Sequence, residues 1–297
     1  MSYQLELRHL RYFLAVAEDL HFGRAAERLF ISQPGLSKQI KEMEEGIGFQ
    51  LFDRHNRKVE LTPAGTFLMA EIKRITQDLE QTVEQARLIS EGLDGDLKLG
   101  YVGSAMQQVI PDLLMVFRAK FPKVLFTLKE MGNQEQIEGL LARELDIGFI
   151  RSERVPRGLE MHPVLNEPFC LVLPTTHSVT QENFESLSQL REESFILFDS
   201  DYSPSYFEKV MQIFDDQDFV PHVTHNTIHS TSIFKLVEKG FGVSIVPESL
   251  QLEQFAGVKF ISLAHLPQRT VLSAVWHRES RNPILRNLLG EIWGVCT

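Results

Sequence analysis

Residues 21–46 read HFGRAAERLFISQPGLSKQIKEMEEG, and the spacing of their apolar side chains decides the fold around them. In the second half Leu36, Ile40 and Met43 fall at i, i+4 and i+7, one stripe of a helix with about 3.6 residues per turn. Gln33, Pro34, Ser37, Lys38 and Lys41 fall on another face, polar and partly cationic. Ser32 is a start signal, because a serine hydroxyl at the N-cap accepts from an orphan amide and a proline in the first turn loses no hydrogen bond. In the first half Phe22, Ala25, Ala26 and Leu29 make an apolar face whose alanines let another helix come close. The two helices meet at Phe30-Ile31. A helix-turn-helix puts the tip of its second helix into the DNA major groove, while a plain helical hairpin in a core has the same spacing. Neighbouring sequence has to separate the two.

Working outward, Leu7, Leu10, Leu14 and Ala17 predict a preceding helix with its own apolar stripe. After Gly46 and Gly48, FQLFDRHNRKVEL reads as a short hairpin, with Leu51-Phe52 and Val59-Leu61 as strands around Arg54-His55-Asn56-Arg57. Arg54, Arg57 and Lys58 then suit phosphates or the minor groove, as a wing beside a helix-turn-helix would; a solvated turn reads the same way. Thr62-Pro63 opens a long helix in which Leu68, Ile72, Ile75, Leu79, Val83 and Ala86 recur at spacings of four and three, until Gly92 stops it. Such a helix, about 28 residues and roughly 40 Å long, outreaches a small winged domain. Its stripe predicts pairing with a second copy of the chain, as in a coiled coil.

The chain has 297 residues, 43% of them hydrophobic, enough for two or three domains. Its net charge is −10, from 30 basic and 40 acidic residues, which at first argues against nucleic acid. Through Leu61, however, nine basic residues face nine acidic ones, so the acidic excess lies downstream and contact with DNA must rest on local placement. No uninterrupted apolar stretch opens the chain and no run approaches 18 apolar residues, so a soluble, cytoplasmic protein without a membrane partner is expected. Two cysteines, Cys170 in the apolar run PFCLVLP and Cys296, make neither a disulfide framework nor a zinc site. His222, His225 and His229 are a poor metal set, and no P-loop, HExxH or GxSxG motif occurs; no metal, no cofactor and no enzymatic activity are expected.

The segments AAERL, SQPGLSKQI, EEGIGFQLFDR and LTPAG occur in order and without gaps, and across its first 65 or so positions the chain resembles the DNA-binding domain of LysR-type transcriptional regulators. Lys38 stands where arginine is more usual, which keeps the charge and loses the bidentate fork. Gly35 stands where another residue is common, at a helical cost of about 1 kcal/mol relative to alanine. The resemblance implies a sequence-specific regulator that binds double-stranded promoter DNA. It also implies a homodimer through the long helix, assembly to a homotetramer, RNA polymerase as a further partner, and a small-molecule effector. The fold class expected is multi-domain α/β: a winged helix-turn-helix over residues 1–62, a linker helix over 63–92 and an effector domain over 93–297.

From Leu93 on, strands and helices alternate, as in α/β domains. LKLGYVG, VLFTLKE and LDIGFI read as parallel strands, with helices over Ser104–Phe121 and Asn133–Arg143 between them. A second half follows, with strands at PFCLVLP, SFILFD, PHVTHN and GVSIVP, and TVLSAVWHR and a last helix close the chain. By the resemblance the chain crosses twice between two subdomains, 93–166 with 265–297 and 167–264, arranged like a periplasmic binding protein. Ligands of such sheets bind at carboxyl ends of strands beside helix N-termini, where Ser104, Asn133, Ser203, Ser205 and Thr231 fall; each is also a good helix cap. Arg151, after LDIGFI, is a candidate cation for a ligand or an exposed loop arginine. The resemblance places Ser104 and Asn133 where family members contact a carboxylate, and GYVGSA and KEMGNQ resemble the branch that senses small aromatic or short-chain acids. An effector-independent or thiol-redox-responsive regulator is the alternative reading.

Overall fold

A computed structural model describes residues 5–55 and 58–295. Contacts divide the chain into two units, Met1–Arg87 and Leu88–Thr297. The first unit begins with α1 (Leu7–Asp19), α2 (Phe22–Arg28) and α3 (Gln33–Ile47). A hairpin of β1 (Phe52–His55) and β2 (Lys58–Leu61) follows, and then α4 (Pro63–Glu91). As the spacing predicts, α3 starts on Ser32, whose hydroxyl accepts from the Gly35 amide at 3.3 Å, and Leu36, Ile40 and Met43 are fully buried. They pack with Phe13, Val16, Ala25 and Phe52 in one small core.

The apolar face of α1 is broader than the stripe read for it: Ala17 is buried with Phe13 and Val16, Leu10 and Leu14 are half-buried against the same core, and of that stripe only Leu7 is exposed. The outer sides of Leu7, Leu10 and Leu14 line a surface groove with Leu29, Ile75 and Leu79. The hairpin pairs Phe52 with Leu61 and His55 with Lys58, so its strands reach further than expected. It is fixed to α3 by the buried Glu44 carboxylate, which accepts from the amides of Leu51 (2.8 Å) and Phe52 (3.1 Å). The helix α4 starts under the Thr62 hydroxyl, which accepts from the Gly65 amide at 2.8 Å, and its 29 residues span about 43 Å. Gly92 ends it at φ +70, where a Cβ would stand 2.6 Å from the backbone of Pro283.

Among its described residues the second unit has three sheets, of five, three and two strands. The first half contains β3 (Asp94–Tyr101), α5 (Val109–Lys120), β4 (Lys123–Glu130), α6 (Asn133–Leu141), β5 (Ile147–Arg151) and β6 (Leu159–Glu167). The other half holds β7 (Phe169–Pro174), β8 (Ser194–Phe198), α7 (Pro204–Asp215), β9 (His222–Thr227), α8 (Ser230–Glu238), β10 (Ser244–Pro247) and β11 (Val258–Ser262). The chain then closes with β12 (Thr270–His277) and α9 (Pro283–Val295). The first sheet has the order β4-β3-β5-β12-β6, with β3 parallel to β4 and β5, and β12 antiparallel to β5 and β6. In the second half β7 pairs antiparallel with β10 and β11, and β8 pairs parallel with β9.

The three strands read as parallel are parallel, and β12 returns from the other half, as expected, and enters beside β5 in the opposite direction. The single helix read over Ser104–Phe121 is broken by a 3-10 turn at Gly103–Gln107, because Gln108 leaves helical geometry at φ −146. The chain leaves the first half after Glu167, enters the second at Phe169, leaves that at Ser262 and returns at Thr270. Each half has its own apolar core, around Phe117, Phe149 and Leu288 in one and around Phe195, Phe214 and Val237 in the other.

Candidate DNA-binding surface and effector cleft

With Leu36, Ile40 and Met43 turned inward, α3 presents Gln33, Pro34, Lys38 and Lys41 to solvent, with Ser37 half-buried beside them. Lys38 lies 3.6 Å from Glu42 and Lys41 3.5 Å from Glu45 along the same helix. These are exposed pairs with the cation N-terminal to the anion, the weaker orientation, so they hold the two lysines only weakly. Lys58 is exposed at the start of β2. The side chain of Arg54 and the whole of Arg57 lie outside the described residues. Next to the tip of α3, Phe30 holds a left-handed φ of 56 and is 94% exposed. Sequence reading took it only as the meeting point of two helices; a phenylalanine at a tight turn position was the available signal.

In the second unit, both crossovers converge on Arg151 at the end of β5. Its side chain is buried, with 3% of its surface exposed. Nε donates to the Ser104 hydroxyl at 2.9 Å, Nη1 to the Thr270 hydroxyl at 3.1 Å and Nη2 to Glu167 at 2.6 Å. Glu167 also accepts from the amide and the hydroxyl of Ser249. The last residue of β6, the first of β12 and a residue of the second half thus share one guanidinium or its partner. Arg151 is no exposed loop residue, because the buried carboxylate of Glu167 and two hydroxyls compensate its charge away from water. Three of its five N–H groups are engaged in these bonds.

Ser104, Arg151 and Ser203 line one small cavity between the two halves, with Phe198, Tyr202 and Tyr206. It measures about 20 Å³, room for about one water. Asn133 does not line it. Its amide donates to the Arg151 carbonyl at 2.8 Å and accepts from the Arg151 amide at 3.2 Å, so the side chain clamps α6 to the end of β5. Ser205 faces a different cavity, and Thr231 is exposed beside Ser230, which does line the cleft. Sequence reading passed over Tyr202, Tyr206, Glu167 and Thr270. For Glu167 a signal existed, a lone carboxylate directly before the apolar run PFCLVLP.

Further bonds cross the cleft. The Gly103 amide donates to the Tyr202 hydroxyl at 3.0 Å, and Gln107 donates to Glu253 at 2.7 Å, where the Ser230 hydroxyl also donates at 2.6 Å. His229 stands 3.3 Å from Glu130. Burial pushes the Glu253 carboxyl above the usual carboxylate range, the Ser230 hydroxyl opposes this, and Glu130 adds to the rise. Cys170 is buried, and burial, reinforced by Glu248 and Glu167, pushes its thiol well above the usual range, which leaves it unreactive. Cys296 lies outside the described residues. Among the described residues no group of three or more His, Cys, Asp or Glu is placed to hold a metal, and no helix is long and apolar enough to cross a membrane.

Comparison with known proteins covers both units. Residues 7–66 match the family described as bacterial regulatory helix-turn-helix protein, lysR family, and residues 90–296 that described as LysR substrate binding domain. The uncharacterized HTH-type transcriptional regulator YnfL of Escherichia coli (strain K12) is 35% identical over 286 residues, 95% of this chain and 96% of that one. The HTH-type transcriptional regulator AlsR of Bacillus subtilis (strain 168) is 31% identical over 285 residues, 96% and 94% of the two chains. Among solved structures, full-length CbnR complexed with its target DNA matches with a TM-score of 0.86 at 28% identity, over 99% of this chain and 100% of that one.

Proposed function

The chain belongs to the LysR family of DNA-binding transcriptional regulators, and from that premise we propose that a small carboxylate bound beside Ser104 and Arg151 sets how the regulator engages its promoter. The observation that carries the proposal is the position of Arg151, which ties Ser104 at the cleft to both crossovers. Its unengaged N–H groups and the hydroxyls of Ser104 and Ser203 are donors suited to a carboxylate. The cavity of about 20 Å³ is too small for such an acid until the cleft bonds of Tyr202 and Gln107 give way. Entry of the ligand therefore separates the halves, and that movement is the signal passed to the DNA-binding units.

On the DNA side, Gln33, Pro34, Ser37, Lys38 and Lys41 read bases and neighbouring phosphates, and Arg54, Arg57 and Lys58 hold the backbone at the wing. The long helix joins two copies, and pairs of dimers make a tetramer. The protein is a regulator and not an enzyme, as its relatives are regulators, and it works in the cytoplasm where its promoter is. Titration calorimetry of the full-length protein with a panel of small aromatic and short-chain acids tests the effector reading. One acid should bind saturably, and Ser104→Glu should abolish that binding and the effector response of a promoter reporter. Uniform failure of folded protein to bind, or an unchanged Ser104→Glu response, would overturn it.

A further inference from the structure

A second cavity of the regulatory unit, about 300 Å³, shares Arg151 and Tyr206 with the cleft but opens elsewhere. Its size is within the range of small-molecule sites. The wall is drawn from three segments: the loop after β5 with Glu153 and Arg154, one side of α7 with Ser205, Glu208 and Lys209, and the second crossover with Arg269. Four cations line it with two carboxylates; Glu167 already compensates Arg151, so Arg154, Lys209 and Arg269 face Glu153 and Glu208, in a chain whose net charge is −10.

The cations are of two kinds. Arg151 is fixed by Ser104, Thr270 and Glu167, and Arg269 by the carbonyls of Ala264, Leu266 and Gln268, so both guanidinium planes are held before any ligand arrives. Arg154 is exposed, and its guanidinium has no acidic partner among the described residues; Lys209 has only Glu153, at 3.8 Å. Two fixed donors lower the ordering cost of binding, and Arg154 and Lys209 reach the cavity from two separate segments.

We propose that this cavity is a second ligand site, distinct from the effector cleft, for a small organic polyanion carrying carboxylate or phosphate groups. Arg269 orients the anion, Arg154 and Lys209 clamp it, and the Ser205 hydroxyl donates to it. The cations outnumber Glu153 and Glu208, and attraction grows with ligand charge, so a polyanion binds more tightly than a monoanion.

The test is calorimetric titration of the full-length protein with citrate and with inorganic phosphate at fixed ionic strength. Three proteins are compared: wild type, the double variant Arg154→Gln with Lys209→Gln, and Lys235→Gln with Lys239→Gln, which removes equal charge from α8 and its C-cap. The expected result is saturable binding of one probe per chain in the wild type, weakened at least tenfold in the first double variant and less than twofold in the second. Tighter citrate binding assigns carboxylates, and tighter phosphate binding a phosphate ester. No saturable binding of either probe, or equal weakening in both double variants, would overturn the proposal. Because small monoacids titrate the cleft, failure here leaves the effector reading standing, and the reverse also holds.

Discussion

Truncating Arg151 leaves the Glu167 carboxylate buried with only Ser249 to bond it. An uncompensated buried charge of this kind costs about 3–5 kcal/mol. Arg151→Met should therefore destabilise the regulatory unit by that amount in urea unfolding, and adding Glu167→Gln should restore most of the loss. If the double variant were no more stable than Arg151→Met, the ion pair would not be what holds the crossovers together. Phe30 makes the opposite case. Its side chain buries almost nothing and its backbone sits at φ 56, a conformation that a bulky residue adopts at a cost and asparagine tolerates. Phe30→Asn should stabilise the DNA-binding unit by about 1 kcal/mol in denaturant unfolding, and a loss of stability would mean that the ring has a structural contact.

At the scale of the element, α3 and α4 were legible in the sequence because each buries or presents a regular stripe and starts on a Ser or Thr cap with a neighbouring proline. The stripe of α1 was read too narrowly, because Phe13 and Val16 widen the face that Leu10, Leu14 and Ala17 turn to the core. The strand β6 escaped notice because it is a half-exposed edge strand with Pro163 inside it. Of the cleft, hydroxyls at strand ends could be read, but the contacts that matter join Ser104, Arg151, Glu167 and Thr270 across up to 119 positions, and no local pattern encodes them. The helical turn that carries Glu253 has its own titration. Its folded carboxyl holds a proton more tightly than the unfolded chain does, so stability falls as pH rises from the ordinary value of 4.5 through the raised one. Glu253→Gln keeps an acceptor for Ser230 and Gln107 and removes that penalty. Its melting temperature should exceed that of the wild type at pH 7, and the gap should close as the pH falls toward 4.5. A pH-independent gap would show that ionisation is not the cause.

For the whole molecule, exposed apolar side chains on α4 decide the assembly. Ile75, Leu79 and Val83 succeed one another every four residues, with Val83 62% exposed, and Leu7, Leu10 and Leu14 of α1 border the same groove. Burying that surface against a second copy offsets the exposure of a long, otherwise polar helix. Leu79→Glu should convert the protein to monomers in analytical ultracentrifugation at micromolar concentration, and an unchanged mass would exclude α4 as the interface. Dimerisation matters because a DNA-binding unit with as many acidic as basic residues through Leu61 gains little affinity from bulk charge and depends on several recognition helices acting together. The most direct test is footprinting of the DNA upstream of the protein's own coding sequence, with wild type and Gln33→Ala at equal salt. Wild type should protect paired half-sites about one helical turn, or a multiple of it, apart. Gln33→Ala should lose about 1–3 kcal/mol at those sites while binding bulk DNA unchanged. Protection by Gln33→Ala with the same boundaries and affinity, or no wild-type protection above competitor DNA, would contradict the account.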